Sequence, residues 1–263
     1  MRAETYAWGD DRALKLYLAG WPERAVARES ADTAAVHALG LPVPAVYGTL
    51  DVDGRHGIIF ARVDGPDLAD WVKRGPWRAV AAGRLMARLH ADMHALPVPE
   101  ASCYHDLLAR RINGARDLPV TLREAVLEQL GSLPKGNSLC HGDFHPLNIL
   151  MGPLGPVVID WDSPARGNPL ADVARTLLIL EAVGWHTKGP QGMALKALVR
   201  VLRAAYLREY LRLTGAQAGQ LRAWRAPMAA ARLGEGIAVE HGWLLSQVRR
   251  CLSGKCARCQ ATD

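Results

Sequence analysis

The sequence contains no apolar run near the roughly 18–20 residues that a membrane-spanning helix needs. Its first residues, Met1-Arg2-Ala3-Glu4-Thr5-Tyr6, hold no apolar signal core. A membrane is therefore not an expected partner, and a reducing cytoplasm is the expected compartment. Cysteine is sparse and odd in number, five in all, so no disulfide framework pairs up. Lysine is scarce: Lys15, Lys73, Lys135, Lys188, Lys196 and Lys255 are the whole set among 32 basic residues. Arginine carries most of the net charge of +6, scattered among Ala, Leu, Glu and Asp. No basic block or aromatic–basic stripe stands out, so nucleic acid is not an expected partner either. Internal repeats and low-complexity linkers are also missing.

What is present is a 263-residue chain, long enough to bury a substantial core in one large domain or two lobes. Residues 3–18 read as a hairpin, with Glu4 to Trp8 and Arg12 to Leu18 flanking the turn signal Gly9-Asp10-Asp11. In its second strand Leu14, Leu16 and Leu18 share one face, and Lys15 and Tyr17 the other. Pro22 opens a helix that Gly40 ends. Strands over 45–52 and 56–63 follow, joined at Asp53-Gly54. After Gly65 the pattern turns helical. A short helix spans 68–73, and a long one spans 77–96 with Val80, Leu85, Leu89 and Met93 at near-helical spacing. Two more helices are expected within 105–131, and strands at 138–140, 149–151 and 157–159. From Pro169 on the chain reads as helix, interrupted near 184–192 and 214–219. This order predicts an α+β fold, with a small β-rich lobe over 1–64 and a larger helical lobe over 65–263.

The most informative stretch is His141-Gly142-Asp143-Phe144-His145-Pro146-Leu147-Asn148, followed eleven residues later by Ile159-Asp160-Trp161-Asp162. Such an arrangement suits phosphoryl transfer. Asp143 can orient a hydroxyl and accept its proton, while Asn148 and Asp160 can hold magnesium on the phosphates. The protein-kinase catalytic loop has the same Asp-to-Asn step. Here Gly142 replaces the Arg of that loop, and Asp160-Trp161-Asp162 stands where Asp-Phe-Gly would be.

With those two departures the sequence resembles the aminoglycoside phosphotransferase and choline kinase-like family, small-molecule kinases with a protein-kinase-like fold. The resemblance runs from about Tyr6 to about Leu252 and is most specific over 141–176. It implies a two-lobe fold with a small antiparallel N-terminal lobe and a mainly helical C-terminal lobe. It also implies ATP (with GTP as the alternative nucleotide) and Mg2+ as cofactors. The expected reaction moves the γ-phosphate to a hydroxyl of a small molecule, such as an aminoglycoside-like antibiotic, an amino alcohol or a sugar-like metabolite.

By the same resemblance, Lys15 orients the nucleotide phosphates and pairs with Glu29. Glu23 is the rival partner but falls in the first helical turn. Residues 60–63 form the interlobe connector. Ala61 and Val63 would offer backbone carbonyl and N–H groups to the base, with Phe60 behind it and Leu150 and Ile159 as the apolar floor. His141 and His145 are expected to steady the catalytic loop, Asp172 to brace it from the following helix, and Arg175 to form a salt bridge. The substrate would be walled by helices after Pro169. Acidic candidates there are Asp162, Glu181, Glu235 and Glu240, and ring-bearing candidates are Trp161, Trp185, Trp224 and Trp243.

One family feature has no counterpart. Fourteen residues precede Lys15, and Gly9 is their only glycine, so no Gly-rich phosphate loop is present. Two readings stay open: the natural chain begins upstream of Met1, or the protein is a non-catalytic kinase-fold binding protein that lacks the loop. The tail Cys251-x4-Cys256-x2-Cys259 reads as an exposed, unpaired end rather than a zinc site, since no second Cys/His pair stands at finger-like spacing.

Overall fold

Four strands in the first sixty-one positions, most cleanly alternating in Val46–Val52, form an antiparallel sheet. In the computed structural model, which describes residues 3–98, 101–162, 164–187 and 189–254, β1 (Ala3–Ala7) pairs with β2 (Arg12–Tyr17), setting Thr5 opposite Lys15. Strands β3 (Val46–Val52) and β4 (Arg55–Ala61) complete a sheet of order β1-β2-β4-β3. Helix α1 (Glu23–Ala38) follows Pro22 and packs on β3 and β4. Tyr17, Val26 and Ile58 form the buried centre of this layer, with Trp21, Val46 and Phe60 against it. Asp67 caps the short helix α2 (Leu68–Lys73) by accepting the Asp70 N–H at 2.8 Å. Helix α2 touches a 3-10 turn at Pro146–Asn148 and the hairpin strand β6 (Ile149–Gly152), which pairs with β7 (Gly155–Val158).

These elements make one compact unit, Met1–Arg74 with Pro146–Pro164; Gly75–His145 with Ala165–Asp263 make the other. The division follows contacts rather than chain order: residues 65–74 and 146–164 pack with the first unit, although the sequence boundary at 64/65 puts them after it.

The second unit holds α3 (Arg78–His94), α4 (Tyr104–Gly114), α5 (Val120–Ser132), β5 (Ser138–Cys140), β8 (Ala165–Gly167), α6 (Pro169–His186), α7 (Gly189–Thr214), α8 (Ala218–Leu233) and α9 (His241–Leu252). Helices α3 and α7 lie against each other, and Gly83 permits the approach. A Cβ at that position would sit 2.4 Å from the Leu202 carbonyl oxygen. The buried face of α3 keeps half of the stripe read in the sequence. Leu89 and Met93 are buried and Val80 is 39% exposed, while Ala79, Ala82, Gly83, Met86, Ala87, His90 and His94 complete the face. Small residues and histidines carry little hydrophobic signal, so periodicity shows only the part of the face that Leu89 and Met93 make. Helix α6 begins cleanly, with Pro169 in its first turn and the Asn168 side chain accepting the Leu170 N–H at 2.9 Å. Among the described residues no helix is long and apolar enough to cross a membrane. Cys256 and Cys259 of the proposed unpaired tail lie outside the described residues.

Candidate active site

Strand alternation sends Lys15 and Tyr17 of β2 to the face on which α1 lies, and both reach the same carboxylate. The Lys15 ammonium is 2.7 Å from Glu29 Oε1 and 2.6 Å from Asp160 Oδ1. The Tyr17 hydroxyl donates to Glu29 Oε2. Glu29 is buried, while Glu23 stands in the first turn of α1. Burial opposes a charge on Lys15, but the Asp160 and Glu29 carboxylates outweigh it and raise the ammonium above its ordinary pKa.

Asp160 reaches Lys15 because of the β6–β7 hairpin. The ladder pairs Ile149 with Val158, and the Ile159 N–H donates to the Asn148 carbonyl at 3.0 Å. Asn148 and Asp160 thus emerge side by side at the open end of the hairpin. Asp160 takes a left-handed backbone conformation, φ +67°, which costs a non-glycine residue about 1–2 kcal/mol. Strain of this kind persists where surrounding contacts hold a side chain in a working position. The two residues offer only side-chain oxygens, a donor set suited to a hard divalent cation such as Mg2+.

Lys15, Glu29, Ala61, Val63, Asn148, Leu150, Ile159 and Asp160 all line one cavity of about 520 Å3 within the first unit. Phe60 lines it as well. The Ala61 N–H donates to the Ala45 carbonyl at 2.8 Å and so belongs to the sheet.

Asp143 belongs to the second unit and is held from three directions. Its Oδ1 accepts from Arg175 Nη2 at 3.0 Å, its Oδ2 lies 3.3 Å from His145 Nε2, and its N–H donates to His141 Nδ1 at 3.2 Å. Burial would raise its pKa, but the hydrogen bond from His145 and the Arg175 guanidinium prevail and hold the carboxyl well below the usual carboxylate range. Gly142 has φ +79°, a conformation that L side chains rarely adopt, so glycine here is a backbone requirement. His145 therefore touches the Asp143 carboxylate itself rather than backbone alone.

The loop is clamped by the first turns of α6. Asp172, fully buried, accepts the His141 N–H at 2.6 Å on Oδ2 and the Gly142 N–H at 3.0 Å on Oδ1. Arg175 Nε donates to the Gly142 carbonyl, and the Thr176 hydroxyl to the Phe144 carbonyl at 2.8 Å. Sequence reasoning anticipated the Asp172 brace. It missed what stands behind Asp172. His90 and His94 of α3 point Nε2 at the same Oδ2, at 3.2 and 3.5 Å, and each takes a tyrosine hydroxyl of α7 on Nδ1 at 2.7 Å, Tyr206 and Tyr210 respectively. Two His and two Tyr at i,i+4 were the available signal. His90, His94 and Asp172 are close enough to hold a metal ion. Tyr206 and the two loop N–H groups instead tie His90 and Asp172 into a hydrogen-bond network, while His94 bonds Tyr210 and leaves its Nε2, 3.5 Å from Asp172, without a hydrogen bond.

The acidic and aromatic substrate candidates fare differently. Trp161 and Trp224 are buried core, the former with its indole N–H on the Val158 carbonyl at 3.1 Å. Glu240 is buried against Arg232, and Glu235 pairs with Arg175 at 2.6 Å. Arg203 and Arg225 hold Glu181. Trp185 is exposed and stacks on Trp243, with ring centroids 6.4 Å apart.

A sequence profile described as the phosphotransferase enzyme family (APH) matches residues 2–224. No curated protein matches the chain. Among solved structures, a thermostable mutant of aminoglycoside phosphotransferase APH(4)-Ia in ternary complex with AMP-PNP and hygromycin B superposes with a TM-score of 0.61 at 16% identity, over 97% of this chain and 94% of that one. The amicoumacin kinase hAmiN, in complex with AMP-PNP, Ca2+ and Ami, gives 0.61 at 11% identity, over 96% and 88%. A choline kinase from Cryptosporidium parvum gives 0.53 at 12% identity, over 96% and 87%. At such identities the structural likeness speaks to the fold: a small antiparallel sheet unit joined to a helical one.

Proposed function

Because the chain belongs to the phosphotransferase enzyme family, we propose that it moves the γ-phosphate of ATP to a hydroxyl of a small molecule in a magnesium-dependent reaction. The nucleotide occupies the cavity of the first unit. Its base lies against Phe60, Leu150 and Ile159, with the Val63 N–H, which has no backbone partner among the described residues, available to its edge. Lys15, kept protonated between Glu29 and Asp160, orients the phosphates.

Asn148 and Asp160 would hold the divalent cation. When bound, that cation neutralises charge on the phosphates. Two structural likenesses, to an AMP-PNP and Ca2+ complex and to an AMP-PNP and hygromycin B complex, support a nucleotide, a divalent ion and a small acceptor as ligands. Asp143 orients the acceptor hydroxyl and takes its proton. A carboxylate held this firmly ionised is a weak base, and a loose transition state asks for positioning more than for basicity.

The observation that carries this reading is the Lys15 ammonium between two carboxylates in a cavity that also receives Asn148. Calorimetric titration with ATP, in magnesium and again in EDTA, tests it. Binding that requires the metal supports the nucleotide site. Failure to bind in either condition removes the nucleotide and favours a non-catalytic kinase fold.

A further inference from the structure

A second cavity, of about 540 Å3, lies wholly within the second unit, near the C-terminal end of α6 and against α7 and α9. Its lining includes none of Lys15, Asp143, Asn148 and Asp160, and three of its residues, Glu181, Trp185 and Trp243, are acceptor-wall candidates read in the sequence. Its size suits a small organic ligand.

Its chemistry is one-sided. Lys196, Arg200 and Arg203 from α7 and Arg250 from α9 face a single carboxylate, Glu181 of α6. That carboxylate is already occupied. Arg203 pairs with it, and Arg225 of α8 forks onto both of its oxygens while also donating to Gln247 Oε1 at 2.7 Å. Among the described residues Lys196, Arg200 and Arg250 have no carboxylate partner. Three cations sharing one concavity repel each other and raise the local positive potential, which a bound anion relieves. Guanidinium and ammonium groups together suit a carboxylate or phosphate.

The remaining wall is aromatic. Trp243 is 9% exposed and fixed, and Trp185 stacks on it with planes 25° apart while remaining 55% exposed. An exposed indole backed by a buried one presents a rigid flat face, which favours a planar ring on the ligand.

We propose that this cavity binds a small anionic molecule carrying a flat ring, with its acid group on Lys196, Arg200 and Arg250 and its ring on Trp185. A polycation meets four positive side chains here and finds Glu181 taken, so an amine-rich ligand is disfavoured at this place. The inference is tested apart from phosphoryl transfer, because it concerns residues outside the nucleotide cavity and is read by binding without nucleotide.

The test uses the full chain and three probes that share one ring: phenyl phosphate, benzyl alcohol and benzylamine. Calorimetry and tryptophan fluorescence follow each titration. Phenyl phosphate is expected to bind saturably and to change the tryptophan emission, and benzylamine is expected not to bind. Arg200→Gln and Lys196→Gln should each weaken phenyl phosphate by about tenfold, and Trp185→Ala should remove most of the fluorescence change. These side chains are at or near the surface, so helical circular dichroism should be unchanged in all three variants. No saturable binding of phenyl phosphate overturns the proposal. So does binding that ignores all three substitutions, which would put the probe elsewhere, or benzylamine binding as tightly as phenyl phosphate.

Discussion

Lys15 Nζ lies 2.6 Å from Asp160 Oδ1 while also contacting Glu29 Oε1 at 2.7 Å, so one ammonium joins β2, α1 and the residue just beyond β7. Removing it leaves Glu29 buried with only the Tyr17 hydroxyl and exposes Asp160 to a lost partner. Lys15→Met is expected to cost about 1–3 kcal/mol of stability, less than a fully buried pair because Asp160 is partly exposed. MgATP affinity should fall by about tenfold or more. Denaturant unfolding and calorimetry on the same variant check both. Unchanged affinity would remove Lys15 from the nucleotide site.

Arg175 joins Asp143 Oδ1, the Gly142 carbonyl and Glu235, so it positions the loop and the Asp143 carboxylate. A lysine there keeps the charge but loses the fork that makes these contacts at once. Arg175→Lys should lower the transfer rate by about 10- to 100-fold and leave MgATP binding near the parent value. Steady-state kinetics beside a binding titration separates the two. An equal loss of both would mean that Arg175 supports the fold in general rather than Asp143.

Burial pushes the Asp143 carboxyl up, yet His145 and Arg175 hold it below its ordinary value of 3.8. A folded-state pKa below the unfolded one contributes stability above the unfolded value, and loses it as pH falls through the folded value. The transfer rate should therefore show no acidic limb from Asp143 between about pH 5 and 8. An acidic limb in that range that vanishes in Asp143→Glu, but persists in His145→Gln, would contradict this.

His90 is pushed down to about 3, first by burial and then by His94 beside it, against the opposing pull of Asp172. His141 also faces it, and Tyr206 occupies its Nδ1. Its folded form stays neutral while the unfolded form protonates below the ordinary value of 6.5. Stability thus falls as pH drops through the unfolded value, by about 1 kcal/mol from this group in the first pH unit below it. His90→Gln should flatten that slope in denaturant titrations across this range. A variant slope equal to the parent's would show that His90 does not titrate differently on folding.

Much of the candidate site's arrangement was legible because its residues sit at short, ordered spacings: Asp143 and Asn148 in one loop, Asp160 after an apolar strand, Lys15 on an alternating one. Asp172 could be placed because it falls on the helix that follows directly. The supporting network was not legible, since its parts are far apart in the chain. His90 lies 82 residues from Asp172 and 116 from Tyr206, and no local pattern joins them.

The arginines of α8 gave a similar difficulty. Arg225 and Arg232 look like a solvated helix face, yet they hold Glu181 and the buried Glu240, which come from α6 and from the turn before α9. Trp161 and Trp224, offered by the sequence as ring faces for a ligand, are core because large aromatic side chains contribute most when fully enclosed. Strand β8 escaped notice because Ala165-Arg166-Gly167 is too short to show a pattern, and it forms by pairing with β5 and by bridging Cys103.

The most direct test of the central claim is transfer of label from γ-labelled ATP, with magnesium, to a panel of small hydroxylated compounds, run with the parent chain and with Asp143→Asn. The account predicts a labelled product from the parent and none from the variant, while both bind MgATP with similar affinity. A parent chain that binds MgATP but labels no acceptor and hydrolyses no ATP, or a variant that transfers as well as the parent, would contradict it.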